Sequence, residues 1–230
     1  SAVRLGGTSA MLVGVFYLAT AIAYLAQPPA LQGAGTPHEF WIALAEGSTA
    51  HMAVHWSSAL AGVLGIAVVP AVFRCVRGQN EGWAMWAAGL AYVAFAVTAR
   101  SHLMEVEFDL RAAPQYPTLA QETQAAVPLI AGLALDVPHG LLTLGGLGFW
   151  VLVTSCLALR GALLPRPLCL VGVLFAAASW LVVLGFSFEI LPLVSVSVAL
   201  AGVVLAPVWF TWLGLVLRKL GASQRVVSTP

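Results

Sequence analysis

Charge is what this 230-residue chain has least of: 8% of its residues are Asp, Glu, Lys or Arg, against 60% hydrophobic and a mean hydropathy of +0.95. Soluble domains carry about 25% charged residues, so a water-soluble globule is excluded and an integral membrane protein is expected. A formal net charge of +1 offers no basic face for nucleic acid. There is no glycine loop to cradle phosphate, no Gly-x-Ser-x-Gly elbow and no buried lysine for a retinal Schiff base. A secretory signal of the usual form is absent as well, because the apolar run after Arg4 lacks a small-residue cleavage site and reads as a first spanning helix. Cysteine is scarce. Cys75, Cys156 and Cys169 match no metal-binding spacing and fall toward the expected inner ends, where no disulfide is expected.

What is present is a set of apolar runs at about 8–26, 51–73, 83–104, 137–159, 167–188 and 194–217. Each reaches the roughly 20 residues that a bilayer crossing needs. None shows the alternation of a membrane barrel, so the fold class is all-α, a polytopic bundle of six transmembrane helices in one domain spanning 1–230. With the N-terminus inside, Arg4, Arg74, Arg77, Arg160, Arg166, Arg218, Lys219 and Arg225 all lie on the inner side, eight of the ten basic residues. The positive-inside rule therefore makes both termini cytoplasmic, and the expected location is a bacterial plasma (inner) membrane.

The loops carry their own signals. Thr36-Pro37-His38-Glu39 reads as a capping box opening a short interfacial helix through Phe40 and Trp41. The connection 105–136 reads as long and mixed, a functional loop or partly folded lid, with a second capping box at Thr118 and Gln121. Pro138 and Gly140 predict a kink in Asp136-Val137-Pro138-His139-Gly140. Trp209 and Trp212 are assigned to an inner aromatic belt.

The histidines concentrate the chemistry. His51 and His55 are four residues apart at the start of the second span and share a helix face. His102 ends the third span, His139 opens the fourth, and His38 lies in the first outer loop, so all five fall on one side. Glu105 follows His102 by three residues and Asp136 precedes His139 by three, one turn away in each case. Ionisable groups at membrane depth are costly and mark function. The expected metal ligands are His51, His55, His102, His139, Asp136 and Glu105, with zinc, copper or iron as the ion. Asp136 has a second candidate role as the ion-pair partner of Arg100, and Glu189 is close enough in expected depth to join the cluster. A paired-iron site is disfavoured because no Glu-x-x-His repeat is present.

The competing cofactor is haem b, held by His55 with His102 or His139 in an electron-transfer or quinone-linked protein. The third reading is an accessory subunit of a membrane complex. Expected partners are the bilayer, a lipophilic small molecule, and a membrane-protein partner or a second copy of the chain. As an enzyme, the chain would be a metal-dependent membrane oxidoreductase or hydrolase.

Arg4-Leu5-Gly6-Gly7 leading to Phe16-Tyr17-Leu18, the Leu164-Pro165-Arg166 turn and the Trp209-to-Leu217 ending resemble a group of bacterial six-helix membrane proteins known as a domain of unknown function. That resemblance implies six helices and carries no functional residue to this chain.

Overall fold

All six apolar runs fold as helices long and apolar enough to cross a membrane: Ala2–Leu25, Thr49–Val76, Glu81–Ala112, Leu141–Gly161, Arg166–Ser187 and Leu191–Ala222. The structure, a computed structural model, describes residues 2–32, 35–135 and 140–226, and no strand occurs among them. In chain order the helices are α1 (Ala2–Leu25), α2 (Pro37–Ala45), α3 (Thr49–Val76), α4 (Glu81–Ala112), α5 (Gln121–Leu135), α6 (Gly146–Gly161), α7 (Arg166–Ser187), α8 (Leu191–Val198) and α9 (Ala206–Val226). π-Helical turns at Leu141–Gly145 and Ala199–Leu205 lead into α6 and α9, so the sixth span is built from α8, a π turn and α9.

The spans pack in a ring: α1 against α3 and α9, α3 against α4, α4 against α6, α6 against α7, and α7 back against the sixth span. The middle of that ring is filled by aromatic side chains. Phe95, Trp150, Phe175, Trp209 and Phe210 are all buried and meet at centroid separations of 4.9 to 6.2 Å. Trp209 is therefore a core residue and not part of an aromatic belt. It fits because α7 offers Gly172 opposite: a Cβ there would lie 2.7 Å from the Trp209 indole nitrogen. Small residues at helix crossings permit this kind of close packing where lipid supplies no hydrophobic drive.

The expected end of the third span at residue 104 is corrected by about two helical turns. Neither proline nor glycine stands between Gly89 and Pro114, and Arg111 donates to Glu107 four residues earlier at 2.5 Å, so α4 continues to Ala112. The 105–136 connection is accordingly helical for most of its length: the end of α4, a 3-10 turn at Tyr116–Thr118, then α5. Thr118 does not form the expected capping box. Its hydroxyl donates to the Gln115 carbonyl at 2.8 Å and closes the 3-10 turn, while α5 begins at Gln121. Asp136, Val137, Pro138 and His139, the centre of the expected kink, lie outside the described residues; Gly140 beside them has a left-handed φ of 65° and precedes the π turn.

The first capping box forms as expected. The Thr36 hydroxyl accepts the Glu39 backbone N–H at 3.2 Å, and the Thr36 backbone N–H donates to the Glu39 carboxylate at 2.7 Å. α2 then lays Trp41 and Leu44 into a small second core with Leu31, Ala113 and Tyr116. Trp41 stacks on Tyr116 and meets Phe108 edge-on, which seats α2 over the end of α4.

Hydrogen bonds from Thr36 hold the exposed Glu39 carboxyl below its ordinary value of 4.5. A depressed carboxylate stabilises the fold above its unfolded-state value and loses that effect as pH falls through the folded one. Amide exchange across residues 37–45 should thus accelerate, relative to α3, as pH drops below 4.5, after correction for intrinsic exchange. Thr36→Ala should reproduce the acceleration at neutral pH, with a local loss of about 1 kcal/mol; unchanged protection in both cases would remove the cap from the account of α2.

Candidate metal centre

α3 starts at Thr49 because Ser48 caps it, its hydroxyl accepting the His51 backbone N–H at 3.1 Å. One turn later comes His55, and the two imidazoles meet edge-on with centroids 4.4 Å apart. α4 runs antiparallel beside α3, and the two backbones nearly touch at Gly62, where a Cβ would stand 2.8 Å from both the Ala99 nitrogen and the Phe95 oxygen. That crossing brings the last turns of α4 against the first turns of α3. His102, Glu105 and Asp109 on α4 face His55 and His51.

The resulting cluster has two tiers. In the lower one, Glu105 Oε2 lies 2.5 Å from His55 Nδ1 and 3.0 Å from His102 Nδ1, and those two nitrogens are 3.0 Å apart. In the upper one, His51 Nε2 lies 3.0 Å from Asp109 Oδ2 and 3.1 Å from His55 Nε2. His55 belongs to both, through a different ring nitrogen in each. His51 and Asp109 are buried, each side chain 7% exposed, whereas His102 and Glu105 are 28% and 26% exposed. The Phe40 ring meets His51 edge-on, so α2 roofs the upper tier.

Proton counting shows that not every contact in this cluster is a hydrogen bond. A neutral imidazole carries one N–H and one lone pair, and an ionised carboxylate only accepts. The Nε2 of His51 faces both an oxygen and a nitrogen, and a single N–H cannot serve both. In the lower tier Glu105 Oε2 can accept one N–H from each of His55 and His102, and the two Nδ1 atoms are then left 3.0 Å apart with no hydrogen bond between them. His51 Nδ1, on the other side of its ring, is buried without a partner. Three donor atoms converging at about 3 Å suit one cation, which takes a lone pair from each. The groups His51/His55/Asp109 and His55/His102/Glu105 are both positioned to hold a metal ion, their ligand atoms lying within 4.8 Å of one another.

Of the residues singled out from sequence, His51, His55, His102 and Glu105 come together. Asp136 and His139 lie outside the described residues, so neither the fourth-span ligands nor the Arg100–Asp136 pair can be placed; Arg100 itself is exposed. Glu189 is exposed in the turn after α7, with φ 57°, and belongs to neither group. His38 stays apart, its Nδ1 3.2 Å from the Tyr116 hydroxyl. Asp109 is the site residue that the sequence reading missed. Its signal was the Glu105-x-x-x-Asp109 spacing, the carboxylate counterpart of His51-x-x-x-His55, which matters only once α4 is carried past residue 104. For haem held between His55 and His102 the geometry is unfavourable, since their Nδ1 atoms stand 3.0 Å apart and leave no gap for a macrocycle, while the His55–His139 alternative lies outside the described residues.

An apolar cavity of about 420 Å³ adjoins the cluster, with Leu31, Phe40, Trp41, Val54 and Ala131 on its walls beside His51, His55, Glu105 and Asp109. Tyr24 and Gln27 add polar groups to its lining.

Gly62→Val should force α3 and α4 apart, costing on the order of 1–3 kcal/mol as overpacking does. The expected readout is a lower melting temperature in detergent. Unchanged stability would mean that the crossing does not hold the two helices in place. Comparison of the chain with protein-family models, with curated proteins and with solved structures finds no match in any of the three.

Proposed function

We propose that this chain is a membrane metalloprotein in which His55, His102 and Glu105 hold one catalytic divalent cation beside the apolar cavity, where it acts on a lipophilic substrate. The observation that carries this reading is the lower tier, three donor atoms within 3.0 Å of one another whose three contacts cannot all be hydrogen bonds at once. Two imidazoles and a carboxylate form the ligand set of hydrolytic zinc sites, which keep a further position for water. The same set, arranged on one face, serves ferrous iron in oxygen chemistry. Partial exposure of His102 and Glu105 is what an open position requires, while the walls of Leu31, Phe40, Trp41 and Val54 favour an apolar molecule. When bound, the ion would supply a polarised water or an oxygen-binding position. The chain's own part is to orient the three ligands and to hold water away on the α2 side.

The depth of the site fits a substrate arriving from the bilayer. The cluster lies where α3 starts and α4 ends, and Arg4, Arg74, Arg77, Arg160, Arg166, Arg218 and Lys219 stand at the opposite helix ends or in the loops there. Under the positive-inside rule this distribution supports an outer-face position for the cluster.

Elemental analysis of detergent-purified protein, with no chelator used, tests the reading. Zinc, copper or iron at one or more ions per chain is expected, falling by at least one ion per chain in His102→Ala/Glu105→Ala while the circular dichroism spectrum remains helical. No ion in the wild type, and none after incubation with Zn²⁺, Cu²⁺ or Fe²⁺, would overturn it in favour of an accessory helix bundle.

In the cavity, Trp41→Ala should loosen the seating of α2 over α4 and widen the pocket. Fluorescence of an apolar probe such as 1-anilinonaphthalene-8-sulfonate, added to protein in nanodiscs with empty nanodiscs as blank, should change relative to wild type. Identical binding curves would mean that α2 does not close this cavity.

A further inference from the structure

The upper tier has a role of its own. His51 and His55 are four residues apart on α3, and Glu105 and Asp109 four apart on antiparallel α4, so the four form two rungs separated by about 6 Å along the helix axes. His55 spans the interval. Its Nδ1 faces Glu105 Oε2 and His102 Nδ1; its Nε2 faces His51 Nε2 at 3.1 Å, beside Asp109 Oδ2. The two nitrogens of an imidazole point away from each other, so neither cation position can use the nitrogen that belongs to the other.

We propose that the cluster is a two-cation centre in which the His55 ring bridges an ion held with His102 and Glu105 and a second ion held with His51 and Asp109. This rests on the one-ion reading above and extends it.

Charge supports the pairing. A single divalent ion in the lower tier leaves Asp109 buried as a further carboxylate, facing His51 alone among the described residues. Buried ionised carboxylates are costly unless a cation or several hydrogen bonds face them. A second cation faces it directly. When both ring nitrogens of His55 bind, its remaining N–H proton leaves to water. The bridging ring then carries one negative charge, which offsets part of the repulsion between the two cations. The upper ion has less room for exchangeable water than the lower one, since His51 and Asp109 are more buried than His102 and Glu105. Its role is therefore to fix the bridge and raise the positive charge felt at the lower, more open position.

The test uses Cu²⁺ as the probe, added to metal-stripped protein in detergent and followed by gel filtration, elemental analysis and electron paramagnetic resonance. Wild type should retain two copper ions per chain, with far fewer than two unpaired spins visible because the imidazolate couples them. Asp109→Asn and His51→Gln should each retain one copper per chain with its full, uncoupled spin, and His55→Ala should retain less than one. Gel filtration and melting temperature report whether each variant is folded, and the wild-type spin count stands without any variant. One copper per chain in the wild type, or two that are magnetically independent, would overturn the bridged pair. If that single copper is lost in His102→Ala/Glu105→Ala, the one-ion reading survives alone. Absence of any copper would overturn both.

Discussion

The approach of α3 to α4 at Gly62 sets the geometry of the histidine end. With hydrogen as the only side chain, the α3 backbone comes against Ala99 and Phe95 of α4. About two turns above, His55 can then reach His102 and Glu105, and one turn further His51 can reach Asp109. Rings and carboxylates are short. A crossing one side chain wider would leave them facing cavities or water instead of each other, so the site is a consequence of backbone packing before it is a matter of ligand chemistry.

Below the cluster the bundle is closed. Aromatic rings from α4, α6, α7 and α9 fill its middle, and they leave the polar groups at one end without a continuation through the interior. Above it, α2 and the Tyr116 turn make a small core of their own. The ionisable residues are thus held between two apolar layers. In such surroundings electrostatic interactions are strong, and a charge without a partner is costly. That is why close contacts that cannot all be hydrogen bonds are informative here, when the same arrangement on a wet surface would be relieved by solvent.

The lower tier is half open and the upper one buried, with one imidazole common to both. A shared ligand makes the two positions interdependent: the orientation of His55 that serves one also determines what the other can bind. Phe40, resting against His51, ties this orientation to the seating of α2, so the short capped helix influences the ligands although it supplies none of them.

Much of this was legible in the sequence. Hydropathy marked all six spans, because a chain crossing hydrocarbon must satisfy its backbone within each helix and expose apolar side chains along its length. Local chemistry marked the capping box at Thr36 and the shared face of His51 and His55, since both depend on residues within one turn of each other. Hydropathy also misled where α4 becomes polar. The run of Glu105, Glu107, Asp109 and Arg111 looked like a loop, yet a helix needs only the absence of breakers and a favourable side-chain pair to continue. Trp209 was likewise read by position along its span, whereas its environment is set by the gap at Gly172 on another helix. The sequence by itself determined the number of spans, the clustering of histidines at one end and the periodicity that aligns them. Only the tertiary structure decided that Asp109 belongs with them and that His55 turns one nitrogen to each tier. Those facts depend on how two helices nearly fifty residues apart meet, and no pattern within either helix encodes that crossing alone.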